Sequence, residues 1–115
     1  MALDWEALVV DAVDPTRLGQ WWAAALGWGY VTDADGDVHI RESPESHPEI
    51  LFVQVPEPKQ IPNRLHLDFR PEDQQAEVKR LLSLGARHAD VGQGEQSWVV
   101  LADPEGNEFC VLSSR

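Results

Sequence analysis

The 115-residue sequence predicts one α+β domain made of two tandem βαβββ modules, each with a single helix packed against its sheet. Three observations predict it. The order strand, helix, three strands occurs twice along the chain. Both helices open on an aspartate, Asp14 and Asp73, 59 positions apart, and both close on Leu-Gly, at Leu26-Gly27 and Leu84-Gly85, 58 positions apart. Short runs rich in β formers, separated by Gly, Pro, Asn and Asp, supply the strands. Matching order, matching caps and near-equal spacing are the signature of a repeated supersecondary unit.

The first module covers about residues 3–55. Residues 5–11, Trp5 to Asp11, read as its first strand. Asp14-Pro15 starts the helix: the carboxylate accepts orphan amide protons, and proline at the first helical position has none to lose. Leu18, Trp21, Trp22, Ala25 and Leu26 form one apolar stripe at helical spacing, and Gly27 ends it. Gly19 lies inside this helix, where glycine weakens it, and a close approach to the sheet would explain its presence. Trp28 to Thr32 is a strand. Asp33 to Asp37 is a hairpin turn marked by Asp35-Gly36. Val38 to Arg41 is the return strand, residues 42–48 a polar loop, and Glu49 to Val55 the strongest strand of this half.

Residues 56–62 carry three prolines and read as an extended linker. The second module covers 63–113. Asn63 to Phe69 is its first strand. Its helix starts at Pro71-Glu72-Asp73 and runs through Val78, Leu81 and Leu82. Ala86 to Val91, Ser97 to Ala102 and Glu108 to Leu112 are its remaining strands. Gly92-Gln93-Gly94 and Asp103-Pro104-Glu105-Gly106-Asn107 are turns.

Composition bounds the function. A formal net charge of −11 and a pI near 4.5 leave no basic patch, which argues against nucleic acid and anionic membrane surfaces as partners. One cysteine, Cys110, excludes an internal disulfide and fits a reducing compartment. The N-terminal residues lack the basic and apolar regions of a signal peptide, and no apolar run reaches membrane-spanning length. The expectation is a cytoplasmic protein.

The stretch Asn63 to Phe69 carries the first chemical signal. Alternation puts Leu65, Leu67 and Phe69 on one face and Arg64, His66 and Asp68 on the other. A lone histidine on a strand is more often a hydrogen-bonded structural residue than a ligand. Asp68 shares the face of His66 and would orient its imidazole, or lie at the surface. His39 and His47 are expected to be solvated, Cys110 to be an inert thiol, and Trp21 and Trp22 to be core. Trp98 falls on a strand.

The duplicated unit resembles the vicinal oxygen chelate superfamily (glyoxalase, bleomycin resistance, dioxygenase) and within it the glyoxalase-like domain branch. Three segments carry the resemblance: Asp14-Pro15 with Trp21 to Gly27, Asn63 to Asp68, and Leu101 to Phe109, whose Asp-Pro-Glu-Gly-Asn followed by Glu-Phe is the most specific. The resemblance implies curved sheets around a cup, and a homodimer. In metal-using members the cup holds a divalent ion on side chains from the first and last strands of each unit. His66 and Glu108 match those positions in the second unit, and their donor atoms suit Zn, Ni, Mn or Fe. In the first unit the match to His66 is Ala7, which cannot ligate; the match to Glu108 falls near Glu49 or Ile50, and Glu49 is a third ligand only in a register that faces it inward. Trp5 shares a face with Ala7, Val9 and Asp11 and would line the first cup, an aromatic wall suited to a flat organic ligand. Arg64 would meet a carboxylate or phosphate on that ligand, or form a rim salt bridge.

Two functions follow from the resemblance. The first is a metal-free protein that binds a small organic molecule through Trp5, Arg64, His66, Asp68 and Glu108. The alternative is a divalent-metal-dependent lyase, isomerase or dioxygenase acting on vicinal oxygens, with Glu108 as general base. The missing ligand at Ala7 argues against glyoxalase I chemistry itself.

Overall fold

The computed structural model of the chain describes residues 2–114, which divide into two compact units split between Pro58 and Lys59. The first unit runs β1 (Ala7–Ala12), α1 (Pro15–Leu26), β2 (Gly29–Thr32), β3 (Val38–Arg41) and β4 (Glu49–Gln54). Its sheet has the order β1-β4-β3-β2, with β1 parallel to β4 and the other pairs antiparallel. The second unit runs β5 (Leu67–Phe69), α2 (Gln74–Leu84), β6 (Arg87–His88), β7 (Val99–Ala102) and β8 (Glu108–Val111). Its order, β5-β8-β7-β6, and its pairing senses repeat those of the first. The fold is therefore α+β, two tandem βαβββ units.

Register makes the repeat residue-specific. Ala7 pairs with Glu49 and Leu8 with Ile50, while Leu67 pairs with Phe109. First and last strands thus meet at the same offset in both units. Glu49 corresponds to Glu108, Ile50 to Phe109, and Ala7 to His66.

Both helices start and stop as their sequences dictate. The Asp14 carboxylate accepts the Arg17 N–H at 3.0 Å, and the Asp73 carboxylate accepts the Ala76 N–H at 3.0 Å. Gly27 and Gly85 close the helices in the left-handed region, at φ 70° and 114°. In unit one, Leu18, Trp22, Ala23 and Ala25 of α1 are buried, as are Val38, Ile40, Ile50 and Phe52 of the sheet. Burying Phe52 completely stabilises the fold by roughly 1.5–3 kcal/mol. Trp22 packs edge-on against Trp21, ring centroids 5.0 Å apart.

Gly19 is the point of closest approach. A Cβ built there would lie 2.5 Å from Val38 Cγ1 and 3.3 Å from the Phe52 ring. Glycine occupies this helical position because the sheet leaves no room for a side chain. In unit two, Gln74 of α2 donates to the Val111 carbonyl of the sheet at 3.1 Å, Leu81 is buried, and Val78 and Leu82 are half-buried. Phe69 and Phe109 meet edge-on at 6.0 Å.

The turns 33–37 and 103–107 share one hydrogen-bond scheme at non-equivalent connections. The first aspartate accepts, through Oδ1, the N–H groups two and four residues on: Asp35 and Asp37, then Glu105 and Asn107. Its backbone closes both ends with the fourth and fifth residues. Asp-x-x-Gly followed by Asp or Asn encodes it, with glycine taking the positive φ at Gly36 and Gly106.

Several strands are shorter than the sequence predicts. The first begins at Ala7, which leaves Trp5 outside it. β5 starts at Leu67 instead of Asn63, because its partner β8 starts at Glu108 and offers no backbone to earlier residues. Leu65, expected to share the apolar face, is 82% exposed. β6 is confined to Arg87 and His88, both exposed. Its continuation turns away at residues 90–93, where Asp90 Oδ1 accepts the Gly92 N–H and Gln93 Oε1 the Val91 N–H. No helix among the described residues is long and apolar enough to cross a membrane.

Candidate functional site

In each unit the helix covers one sheet face, and strand alternation sends the polar residues to the other. In unit one that open face carries Glu49 on β4 with His39 and Arg41 on β3. The contact of Gly19 with Val38 and Phe52 fixes which face the helix takes.

Glu49 is buried, 6% exposed, and both its oxygens are engaged. Oε1 lies 2.7 Å from His39 Nδ1, and Oε2 accepts from Arg41 Nη2. The opposite ring nitrogen, His39 Nε2, lies 2.7 Å from Asp33 Oδ2. The four residues form a chain of alternating charge: Asp33, His39, Glu49, Arg41. The hydrogen bond to Asp33, opposed by partial burial and reinforced by Glu49, raises the His39 pKa above its ordinary value and favours the imidazolium. The bond from His39 correspondingly holds the Asp33 carboxyl below its usual range.

His39 thus departs from the expectation that it is solvated. The sequence held one signal for it: in Val38-His39-Ile40-Arg41 the two bases alternate with two core residues, so both must share the face away from the helix.

In unit two the open face carries Glu108, 7% exposed. Lys59 Nζ sits 2.7 Å from its Oε1 and 3.1 Å from its Oε2. The Asn63 backbone N–H donates to Oε1 at 3.1 Å, and Asn63 Nδ2 to the Glu108 carbonyl at 3.2 Å. Burial pushes the Glu108 carboxyl up, but the Lys59 ammonium and the Asn63 N–H outweigh it and hold the pKa below the ordinary value. Lys59 lies in the proline-rich segment 56–62 and Asn63 directly after it, and nothing in the composition of that stretch signals such a role.

The remaining predicted residues lie apart from these networks. His66 is exposed, one residue before β5, and the β5–β8 register extended by one residue sets it opposite Glu108. Arg64 is exposed at a bend. Asp68 pairs in register with Cys110. Burial, with the Asp68 carboxylate acting in the same direction, raises the Cys110 thiol pKa and keeps it protonated. Trp5 is 67% exposed, its indole N–H donating to the Ala7 carbonyl at 3.2 Å.

Among the described residues, the side chains grouped at metal-ligand spacing in threes are Asp33, Asp35 and Asp37, within 4.8 Å of one another. They belong to the turn described above, whose Asp33 already accepts from two backbone amides and pairs with His39. On the helix side of unit two, Gln74, Gln75, Val78, Lys79, Leu82 and Val99 line a shallow groove of about 290 Å³.

Solved structures repeat this fold at low identity. TnmS3, an antibiotic-binding protein from Streptomyces sp. CB03234, superposes with a TM-score of 0.66 and 18% identity, covering 100% of this chain and 99% of its own. Glyoxalase I of Leishmania major superposes with a TM-score of 0.70 at 15% identity, over 97% of this chain and 87% of its own. A glyoxalase/bleomycin resistance protein/dioxygenase family enzyme from Burkholderia phytofirmans PsJN gives a TM-score of 0.70 at 15% identity, over 95% and 97%. No protein of curated function matches the sequence. The profile of the glyoxalase-like domain matches residues 7–112, and with the duplicated βαβββ architecture this makes the chain a member of the glyoxalase-like domain family.

Proposed function

We propose that the protein binds a small organic molecule on the open sheet faces without using a metal. One observation carries the reading: at both repeat positions where metal-using relatives would place a carboxylate ligand, the carboxylate is neutralised by the chain's own bases. Glu49 is held by His39 and Arg41, and Glu108 by Lys59. A buried carboxylate bound at both oxygens has little left to give a metal, and Ala7 offers no donor. The residues therefore do not fit a dedicated divalent site.

What remains for a ligand in unit one is apolar surface beside the closed polar network. Val9 and Val31 are 54% and 66% exposed, with Leu51 next to Val9 and His39 next to Val31 in the same row of the sheet. Trp5 precedes the same strand, and Arg64, His66 and Asp68 border the corresponding region of unit two. The antibiotic-binding protein from Streptomyces with the same fold gives this reading a precedent among neighbours. The protein would act in the cytoplasm as a homodimer, with neither nucleic acid nor membrane as partner.

The test is elemental analysis and native mass spectrometry of protein purified without chelators, alongside tryptophan fluorescence titrations with flat aromatic compounds. The expected result is no stoichiometric metal and saturable quenching. One tightly held divalent ion per chain, lost in His66→Ala, would overturn the reading in favour of a metal-dependent lyase, isomerase or dioxygenase.

A further inference from the structure

The two repeat-equivalent carboxylates are neutralised by different means. In unit one the cations come from the neighbouring strand β3. His39 pairs in register with Leu51, and Arg41 lies one step beyond the Ile40–Ile50 pair, opposite Glu49. In unit two the matching positions on β7 are Val100, paired with Cys110, and Ala102, paired with Glu108. Neither can carry charge. A buried carboxylate without a partner is strongly destabilising, so the cation must come from elsewhere. Lys59 supplies it from the segment before β5, in contact with both oxygens and with its side chain 21% exposed.

We propose that Lys59 is the resident cation of unit two: its ammonium occupies the charge position at Glu108 and keeps divalent cations off it. Removing Lys59 would turn Glu108 into a cation site. Its carboxylate oxygens would then bind a divalent transition metal, with the imidazole of His66 as the donor next to it in register and water completing the shell. The inference rests on the metal-free reading above and names the residue responsible for it. Loss of the ammonium, not of hydrophobic packing, is the operative change. A guanidinium should therefore substitute for it, whereas an isosteric neutral side chain should not.

The experiment is a cobalt(II) titration by calorimetry of the wild type, Lys59→Met, Lys59→Arg and Lys59→Met/Glu108→Gln. Surface acids bind cobalt weakly in all four, so the informative quantity is the binding that depends on Glu108. Lys59→Met should bind cobalt at least tenfold more tightly than wild type, and its melting temperature should rise on adding cobalt. Both gains should vanish in the double variant and be absent in Lys59→Arg. If Lys59→Met does not stay folded, Lys59→Gln, which keeps an amide donor near Oε1, replaces it with the same expectation. No gain in the neutral variant overturns the proposal. So does a gain in Lys59→Met that persists in Lys59→Met/Glu108→Gln. Failure of the ligand-binding reading would appear separately, as absent fluorescence quenching in the wild type, and would leave the cobalt result intact.

Discussion

Glu49 and Glu108 are the residues on which each unit's polar chemistry turns, and His39 is the most pH-sensitive of their partners. Its pKa is raised above the ordinary histidine value of 6.5, so its stabilising contribution is fully present below pH 6.5 and is lost as pH rises through the folded-state value. Asp33 and Glu108 have pKa values lowered from the ordinary 3.8 and 4.5 of their carboxyl groups. Their contributions are present above those values and are lost as pH falls through the folded-state ones. The melting temperature should therefore be highest between about pH 4.5 and 6.5 and decline on the alkaline side. In His39→Gln the alkaline decline should flatten, and overall stability should fall by about 1–2 kcal/mol from the lost bonds. Thermal melts of both proteins from pH 4 to 9 check this; an unchanged alkaline limb in the variant would assign the titration elsewhere. The alternation Val38-His39-Ile40-Arg41 placed both bases on one face, but it gave no indication that Glu49 stood opposite. That pairing joins residues about ten apart and follows from the β3–β4 register.

At the level of elements, the helices were largely legible in the sequence. Asp14, Pro15, Gly27, Asp73 and Gly85 act within their own turn of chain, so their roles follow from local chemistry. Gly19 needed the tertiary structure to confirm its reason. In Gly19→Ala the new Cβ would press on Val38, a β-branched core residue with no free end to swing away. Alanine gains about 1 kcal/mol in helix propensity over glycine, whereas overpacking costs roughly 1–3 kcal/mol. The expected outcome is a net loss of up to about 2 kcal/mol in urea unfolding, and a stabilised variant would mean that α1 shifts freely over its sheet. Strand ends were less legible. β5 and β6 stop where partner backbone stops, and composition alone does not mark that point.

At the scale of the whole molecule, the net charge of −11 works against compactness. The internal pairs at Glu49 and Glu108 are shielded from solvent ions, whereas the repulsion among surface acids is not. Raising ionic strength from about 0.01 M to about 0.15 M shortens the screening length from about 30 Å to about 8 Å and should raise the melting temperature. A fall would show that exposed pairs such as Arg80–Glu77 outweigh the repulsion. The sequence by itself determined the duplicated βαβββ plan, the helix caps, the family resemblance and the matching of Ala7 to His66, because each depends on periodicity or on residues close together in the chain; it left the match to Glu108 between Glu49 and Ile50, and strand register decided for Glu49. Only the tertiary structure decided which base meets which carboxylate. Lys59 reaches Glu108 over a sequence separation of 49, and His39 and Arg41 reach Glu49 across a hairpin. Such pairings are set by strand register and by where an irregular segment crosses the sheet.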